Sequence, residues 1–402
     1  MKRILAITYW SYEDPLVQNH VLPCIHQIQK ACGENCRVWL FTMENPNFSN
    51  DSESWKKESQ RHSESNIFLL RAPYTHFGFK ARLTFGYNLL RLFFLIIINK
   101  IDAIHSFCPP AGVMGYMLSK LTGRKLILDT FEPHAESMVE NGTWKKTDKA
   151  FKIMLRYEKK QAKQAYAIIA TVEKMREYLT ETLHITPKLF FAKPASVDLA
   201  RFNPDQIQKE ELFKLYPLEN KIVGIYAGKI GGIYLEKEFF EILHAAFEFF
   251  GDRLFFIILT RSQEELIKKY ILDFSLPEKQ ILITWSSNEM LPSYLGISYF
   301  AINPVKPVPS KRYCTSVKDG EYWAMGLPVI IPQNISDDSE IIESENAGAV
   351  LHSFSKSEYS NAFLKINQIL LETGSKKRIR HLAEKYRDIA NAEKIYRSIY
   401  NL

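Results

Sequence analysis

The chain is poor in the residues that would staple or anchor it. Five cysteines stand among 402 residues (Cys24, Cys32, Cys36, Cys108 and Cys314), an odd number with no Cys-x-x-Cys pair. This excludes a disulfide framework and a zinc knuckle and reads as a set of cytosolic thiols. The most apolar run, residues 89–98, contains Arg91 and is about half the ~20 residues a spanning helix needs, so no transmembrane segment is expected. Basic Lys2 and Arg3 precede an apolar run, but Glu13 and Asp14 follow at once without a cleavage-like site, so the start reads as a strand and not a signal peptide. The Asn-x-Ser/Thr triplets at Asn47, Asn141 and Asn334 are then expected to be chance occurrences. There is no short-period repeat, no low-complexity segment and no Asp-x-Asp pair suited to a metal; Asp337-Asp338 reads as a loop leading into a helix. The net charge of +7 comes from scattered lysines and arginines, compatible with anionic ligands or a membrane surface but too small to argue nucleic acid.

What is present is ordinary globular material, 46% apolar and 24% charged, in a chain long enough for two domains. Apolar β runs at 3–8, 37–42, 67–71, 101–105, 125–130, 166–170 and 188–192 alternate with helical or loop segments. After a proline-bearing junction at 194–205, a second series follows at 221–227, 253–259, 280–284, 298–303 and 328–332. Such alternation predicts two parallel sheets wrapped by helices, with ligands at the carboxyl ends of the strands. The loops after Thr8, His105 and Thr130 are expected to share one crevice. Residues 44–65 carry few core residues and are expected to form a loop or insertion. Residues 376–402 predict one helix, with Ile379, Leu382, Tyr386, Ile389, Tyr396 and Ile399 on a single stripe. A helix beginning near Ala111-Gly112 would aim its N-terminus at the same crevice, where Glu13 and Asp14 are candidate acceptor contacts.

The densest chemistry lies in residues 314–332. They read as a polar loop, a short helix opening near Ser316, a Gly-Leu-Pro turn and a buried strand. Ser316 stands three residues before Asp319, the capping-box spacing, which would hold the first-turn N–H groups ready for an anion. Gly320 lets a ligand approach the backbone, and Glu321 beside it can accept two hydrogen bonds from a vicinal diol. Phosphate and ribose fit that pair. Upstream, Gly228, Lys229, Gly231 and Gly232 follow a strand, freeing backbone for phosphate and placing a cation near a leaving group. Lys311, Arg312 and Lys318 are further candidates to neutralise phosphate, or exposed solubilising residues. Trp285 ends a strand and either stacks on a ligand or packs inside.

The run Gly320-Glu321-Tyr322-Trp323-Ala324-Met325-Gly326-Leu327-Pro328-Val329-Ile330 resembles the donor site of retaining GT-B glycosyltransferases of the family 4 type. The resemblance implies an α/β fold of two Rossmann-like domains facing a cleft: 1–200 for the acceptor, joined by a C-terminal helix at about 385–402 that crosses back, and 201–384 for the nucleotide sugar. It implies that Glu321 binds the donor ribose, that Gly228, Lys229 and Gly231 cradle the diphosphate with Lys237 as second cation, and that the Trp285 turn lies against the base. Lys311, Ser316, Asp319 and Gly320 complete the donor set. Two departures stand out. Tyr313 occupies the place, eight residues before Glu321, where the family has another glutamate, and the first loop lacks the family's glycines. His134, or Glu132, matches the family's histidine near the reacting sugar; with Lys229 these are the expected catalytic groups.

The reaction implied is transfer of a sugar from a nucleotide diphosphate to a hydroxyl of a glycan or lipid-linked glycan, with retention and without a metal or other cofactor. Cytoplasmic placement, at the inner membrane face if residues 77–82 touch lipid, goes with that reading, whereas residues 92–98 are expected to be core. A GT-B nucleotide-sugar epimerase and a non-catalytic GT-B subunit are the alternatives.

Overall fold

A computed structural model describes residues 2–33, 35–45, 52–75, 78–207, 209–216, 218–287 and 289–401. Contacts divide the chain into two compact units. The first comprises Met1–Val139, Thr143–Pro194 and Ile389–Leu402; the second comprises Glu140–Gly142 and Ala195–Asp388.

The first unit is built on seven strands: β1 (Arg3–Ile7), β2 (Arg37–Glu44), β3 (Ile67–Pro73), β4 (Ala103–Phe107), β5 (Lys125–Phe131), β6 (Ala167–Ala170) and β7 (Phe190–Ala192). They pair in the order β3-β2-β1-β4-β5-β6-β7, every pairing parallel. Because helices cover both faces, the central strands are unbroken apolar runs and not alternating ones; Ile4, Leu5, Ala6 and Ile7 are all buried. The sheet reverses direction at β1/β4, where a doubly wound fold opens its crevice. Helices α1 (Leu22–Cys32), α2 (Ser52–Glu64), α3 (Phe79–Ile98), α4 (Pro109–Thr122), α5 (His134–Glu140) and α6 (Lys149–Gln164) connect the strands, and a π-helical stretch, Val17–Val21, leads into α1.

Three expectations for this unit are corrected. Residues 44–65 are not an open loop, since β2 runs through Glu44 and α2 occupies most of the remainder. Two aromatic side chains anchor that helix: Trp55 and His62 pack edge-on against buried Tyr12, whose hydroxyl meets His62 Nε2 at 2.8 Å and Glu58 at 3.1 Å. Residues 92–98 are not core all round. Only Asn88, Leu92 and Ile96 of α3 are buried, and Phe94, Ile97 and Ile98 face solvent. By length and composition alone, α3 is apolar enough to cross a membrane. The C-terminal stripe is broken into two helices, Ser375–Tyr386 and Asn391–Tyr400. Ile379 and Leu382 enter the core of the second unit, while Tyr396 and Ile399 enter that of the first, against α1. Phe77, Asn47 and Asn288, on which sequence expectations also fell, lie outside the described residues, as does Leu402.

The second unit has six parallel strands: β8 (Ile222–Ala227), β9 (Leu254–Leu259), β10 (Ile281–Thr284), β11 (Phe300–Ile302), β12 (Val329–Pro332) and β13 (Gly348–Leu351). Their order is β10-β9-β8-β11-β12-β13, with the reversal at β8/β11. The last strand was not expected from the sequence; its four residues carry too little pattern to separate them from a loop. One side of the sheet is filled by phenylalanines, among them Phe239, Phe240, Phe256, Phe300 and Phe363, all fully buried.

Candidate functional site

In the second unit, the carboxyl ends of β8, β9, β10 and β11 and the N-terminus of the helix Val317–Ala324 gather most of the residues singled out above. The loop after β8 is fastened to that helix at two points. Tyr322 Oη accepts the Ala227 N–H at 3.1 Å, and Lys318 Nζ donates to Tyr234 Oη at 2.6 Å while standing 4.3 Å over the Tyr234 ring. Gly228 lies between them: a Cβ there would come within 2.5 Å of Lys318 Cε and 2.7 Å of the Tyr226 hydroxyl. Gly231 and Gly232 take φ of +78° and +67°, conformations that carry the loop through its turn and that a side chain resists. Lys229 is exposed at the head of this loop, and its carbonyl accepts from Tyr226 Oη at 2.6 Å.

The neighbouring loops join through backbone bonds. Ser262 Oγ accepts the Ile230 N–H at 2.8 Å, and the Thr260 N–H donates to the Thr284 carbonyl at 2.8 Å. Trp285 is 52% exposed, which removes the alternative of an interior packing role. The guanidinium of Arg261 lies over its ring at 4.4 Å, forming a cationic aromatic platform beside the glycine loop.

Glu321 is half-buried on the helix. Burial pushes its carboxyl up to about 7, partly offset by Lys318 and Arg201. Such a group is poised to change charge near neutrality and to gain from hydrogen-bond donors that favour its ionised form.

Two details of the helix depart from expectation. Ser316 is indeed the residue before the first turn, but its hydroxyl makes no capping bond; it accepts from Asn303 Nδ2 at 2.9 Å. Asp319 is fully buried and accepts from the same Asn303 amide at 2.7 Å, so no capping box forms. Its carboxyl is pushed up to about 7 by burial, against the pull of Asn303 and Arg387. Asp319 therefore serves the interior, out of reach of a bound nucleotide sugar. Gly320 likewise faces inward: a Cβ there would lie in ordinary contact with the stem of buried Arg387, at 3.4 Å. Arg387 pairs with buried Asp338, lies 5.2 Å over the Trp323 ring, and through Asp338, which accepts the Ser316 N–H at 3.1 Å, fixes the start of the helix.

Lys237 is not at the glycine loop's turn; it opens the next helix, exposed and paired with Glu241 at 2.9 Å. Lys311 sits half-buried in the 3-10 segment Pro309–Tyr313, where its carbonyl accepts the Ser336 N–H at 2.9 Å. Tyr322, Tyr234, Arg261, Asn303 and Arg387 were not singled out in advance. Only Tyr322 had a local signal, its adjacency to Glu321.

In the first unit, the loops after β1, β4 and β5 meet around Cys108, whose buried thiol bonds to the Tyr9 backbone and feels the Glu132 carboxylate. Glu132 and His134 stand together, Oε1 to Nδ1 at 3.5 Å, both partly exposed, and the His134 ring meets Trp144 edge-on. Buried Glu158 accepts the Ala135 N–H at 2.8 Å and so anchors the turn that carries His134. His105 is not a crevice residue. It is fully buried and bonded to Asp129 at 3.1 Å and to the Tyr400 hydroxyl at 2.7 Å. Asp129 also receives Tyr396 Oη at 2.7 Å and pairs with Lys193 at 3.2 Å. Burial alone would raise its carboxyl pKa, but Lys193 and His105 outweigh this and hold it well below the usual carboxylate range. Among the described residues, no group of three His, Cys, Asp or Glu is arranged to hold a metal.

Two parallel sheets, each reversing at its central strand, with the last segment of the chain returned to the first unit, define the GT-B class of glycosyltransferase fold. No family model matches the chain. It is 22% identical over 290 residues to the UDP-Gal:alpha-D-GlcNAc-diphosphoundecaprenol alpha-1,3-galactosyltransferase of Escherichia coli, covering 69% of this chain and 70% of that protein. Among solved structures, sucrose-phosphate synthase from Thermosynechococcus elongatus superposes over 100% of both chains with a TM-score of 0.73 at 15% identity. Anabaena Alr3699/HepE in complex with UDP and glucose gives 0.72 at 14% identity over 100% of both chains. WaaG, a glycosyltransferase involved in lipopolysaccharide biosynthesis, gives 0.69 at 13% identity over 100% of this chain and 99% of its own.

Proposed function

We propose that this chain transfers a hexosyl group from a UDP-sugar to a hydroxyl of a glycan or lipid-linked glycan, with retention of anomeric configuration. The observation that carries the reading is the clasp of the Gly228–Tyr234 loop onto the helix that bears Lys318 and Glu321. In this reading Glu321 accepts the ribose hydroxyls, and the diphosphate lies on the backbone of the glycine loop and the first turn near Ser316. Lys229, Lys318 and Lys311 supply positive charge, and the Arg261–Trp285 platform meets the base. Asp319 and Lys237 leave the donor set for the reasons given by their contacts, and Gly320 stays in it as the small residue beside Glu321.

The second unit holds the donor and the first the acceptor. As the bond between the sugar and the leaving phosphate breaks, a phosphate oxygen takes the proton of the acceptor hydroxyl, whose oxygen bonds to the anomeric carbon from the same face. Lys229 and Lys318 stabilise the charge that builds on the diphosphate, and His134 with Glu132 positions the sugar. The reaction then runs without a metal. The UDP-galactose donor and diphosphoundecaprenol-linked acceptor in the name of the E. coli relative support this choice of substrates.

The test is incubation of the purified chain with UDP-galactose, UDP-glucose or GDP-mannose and a lipid-diphosphate-linked N-acetylglucosamine, with and without EDTA. Products are read by mass spectrometry and the new anomeric proton by NMR. An α-linked disaccharide formed equally in EDTA is expected. An epimer or free UDP from donor alone would favour the epimerase alternative. Tyr313, standing where the family carries a glutamate, favours the other alternative, a binding subunit, and donor binding without any transfer would establish it.

A further inference from the structure

Helix α3 presents an apolar face that the fold leaves uncovered. At about 100° per residue, Phe79, Leu83, Tyr87, Leu90, Phe94 and Ile98 fall within one sector of about 100°, and each is more than half exposed, Phe79 and Ile98 at 76% and 75%. Asn88, Leu92 and Ile96, on the opposite side, are the residues buried against the first unit. The apolar sector is therefore not a core face that happens to be loose; the core face is a different one.

Charge says what covers it. Residues 79–100 carry Lys80, Arg82, Arg91 and Lys100 and no acidic residue. On the helical wheel Lys80 and Arg91 stand at one edge of the apolar sector and Arg82 at the other, so the stripe is rimmed by cations on both sides. A second copy docked stripe to stripe would bring these cations together with no carboxylate on either helix to pair with them. An anionic lipid surface meets both features at once, taking the apolar side chains among the upper acyl chains and the cations among the headgroups. Lying in the membrane plane keeps the bond of Arg91 to the Arg71 carbonyl of β3, at 3.0 Å, and the burial of Asn88, Leu92 and Ile96, both of which spanning would break.

We infer that α3 is a membrane-docking helix that lies in the plane of an anionic bilayer, its Phe79-to-Ile98 stripe entering the headgroup boundary along about 30 Å. The inference deepens the lipid-linked acceptor reading but is measured without transfer, so either can fail alone.

The experiment is flotation of the full chain with vesicles of phosphatidylcholine and with vesicles of equal parts phosphatidylcholine and phosphatidylglycerol. Binding to the anionic vesicles and not to the neutral ones is expected. Leu83→Glu with Leu90→Glu, both at exposed positions, should lower the partition coefficient at least tenfold, and Lys80→Gln with Arg82→Gln should lower it about fivefold per cation. Both double variants should keep the wild-type melting temperature and donor affinity. Leu272→Glu, an exposed apolar site in the second unit, should bind vesicles like the wild type. A tryptophan introduced by Tyr87→Trp should be quenched by lipids brominated high on the acyl chain more than by lipids brominated near its end. The inference is overturned if the wild type does not float with anionic vesicles, if Leu83→Glu with Leu90→Glu floats equally well, if quenching is deepest at the bilayer centre, or if light scattering shows a dimer that this variant turns into a monomer.

Discussion

Replacing Glu321 tests the donor site most directly. Its carboxylate is placed to accept two hydrogen bonds from a vicinal diol, and bonds to a charged partner are worth about 1.5–3 kcal/mol each. Because Glu321 is half-buried and not sealed, the lower figure applies, and two bonds give about 3 kcal/mol, or roughly 100-fold in affinity for a UDP-hexose. Glu321→Ala should lose that amount and Glu321→Gln somewhat less, since an amide keeps one acceptor oxygen. The pH dependence gives an independent reading. The free carboxyl is raised to about 7, and only the ionised form accepts both bonds. Wild-type affinity should therefore rise with pH and level off near 8, standing about tenfold lower at pH 6. A nucleotide sugar has no group of its own that titrates in that window, so Glu321→Gln should bind with a flat profile. Isothermal titration with UDP-glucose and UDP-galactose between pH 5.5 and 8.5 measures both. If Glu321→Ala binds within twofold of the wild type, or if Glu321→Gln keeps the wild-type slope, the assignment of this carboxylate to the ribose is refuted.

Lys318→Met removes both the charge and the bond to Tyr234 and should weaken donor binding about tenfold by titration, whereas Lys237→Ala, whose ammonium pairs with Glu241 on the next turn, should leave it unchanged. Arg387→Met leaves buried Asp338 without its partner and should cost about 3–5 kcal/mol in denaturant unfolding, part of which Asp338→Asn in the same chain should restore. Asp129→Asn breaks the pair with Lys193 in the first unit. Asp129 is held below its unfolded value of about 3.9, so its share of stability is present above that pH and is lost as the pH falls through the folded pKa. Lys193 is raised, burial being outweighed by Asp129, so its share is present below about pH 10.5 and is lost above its folded pKa. The difference in unfolding free energy between wild type and Asp129→Asn should thus be constant from about pH 5 to 9 and shrink in acid; a difference that grows in acid would contradict this.

Much of the fold could be read from the chain because parallel strands buried on both faces leave short unbroken apolar runs, such as 254–259, at regular spacing between helical segments. Helix α2 escaped notice because its hold on the fold is Trp55 and His62, too few to register as periodicity. The exposed side of α3 escaped for the opposite reason: it is apolar on more than one face, and sequence does not say which face meets the sheet. At the site, Glu321, Lys229, Gly228 and Lys318 were legible as local patterns. The capping-box spacing of Ser316 and Asp319 misled, since both residues turn to Asn303, whose position is fixed only by β11. Arg387 was invisible for the same reason, its partner lying 49 residues away.

The short helix Asn391–Tyr400 has a bearing on how the protein comes to be folded in a cell. It supplies Tyr396 and Tyr400, whose hydroxyls meet Asp129 and His105 deep in a sheet whose strands all precede residue 193. At ~5–20 residues per second, those strands wait tens of seconds for their last wall to be synthesised. During that interval a charged, incompletely roofed interior is open to chaperones and proteases, and nascent chains arrested before Ile389 should be cleaved in the first unit at rates the finished protein resists. On this layout the core of the first unit closes only once residues 391–400 have been made.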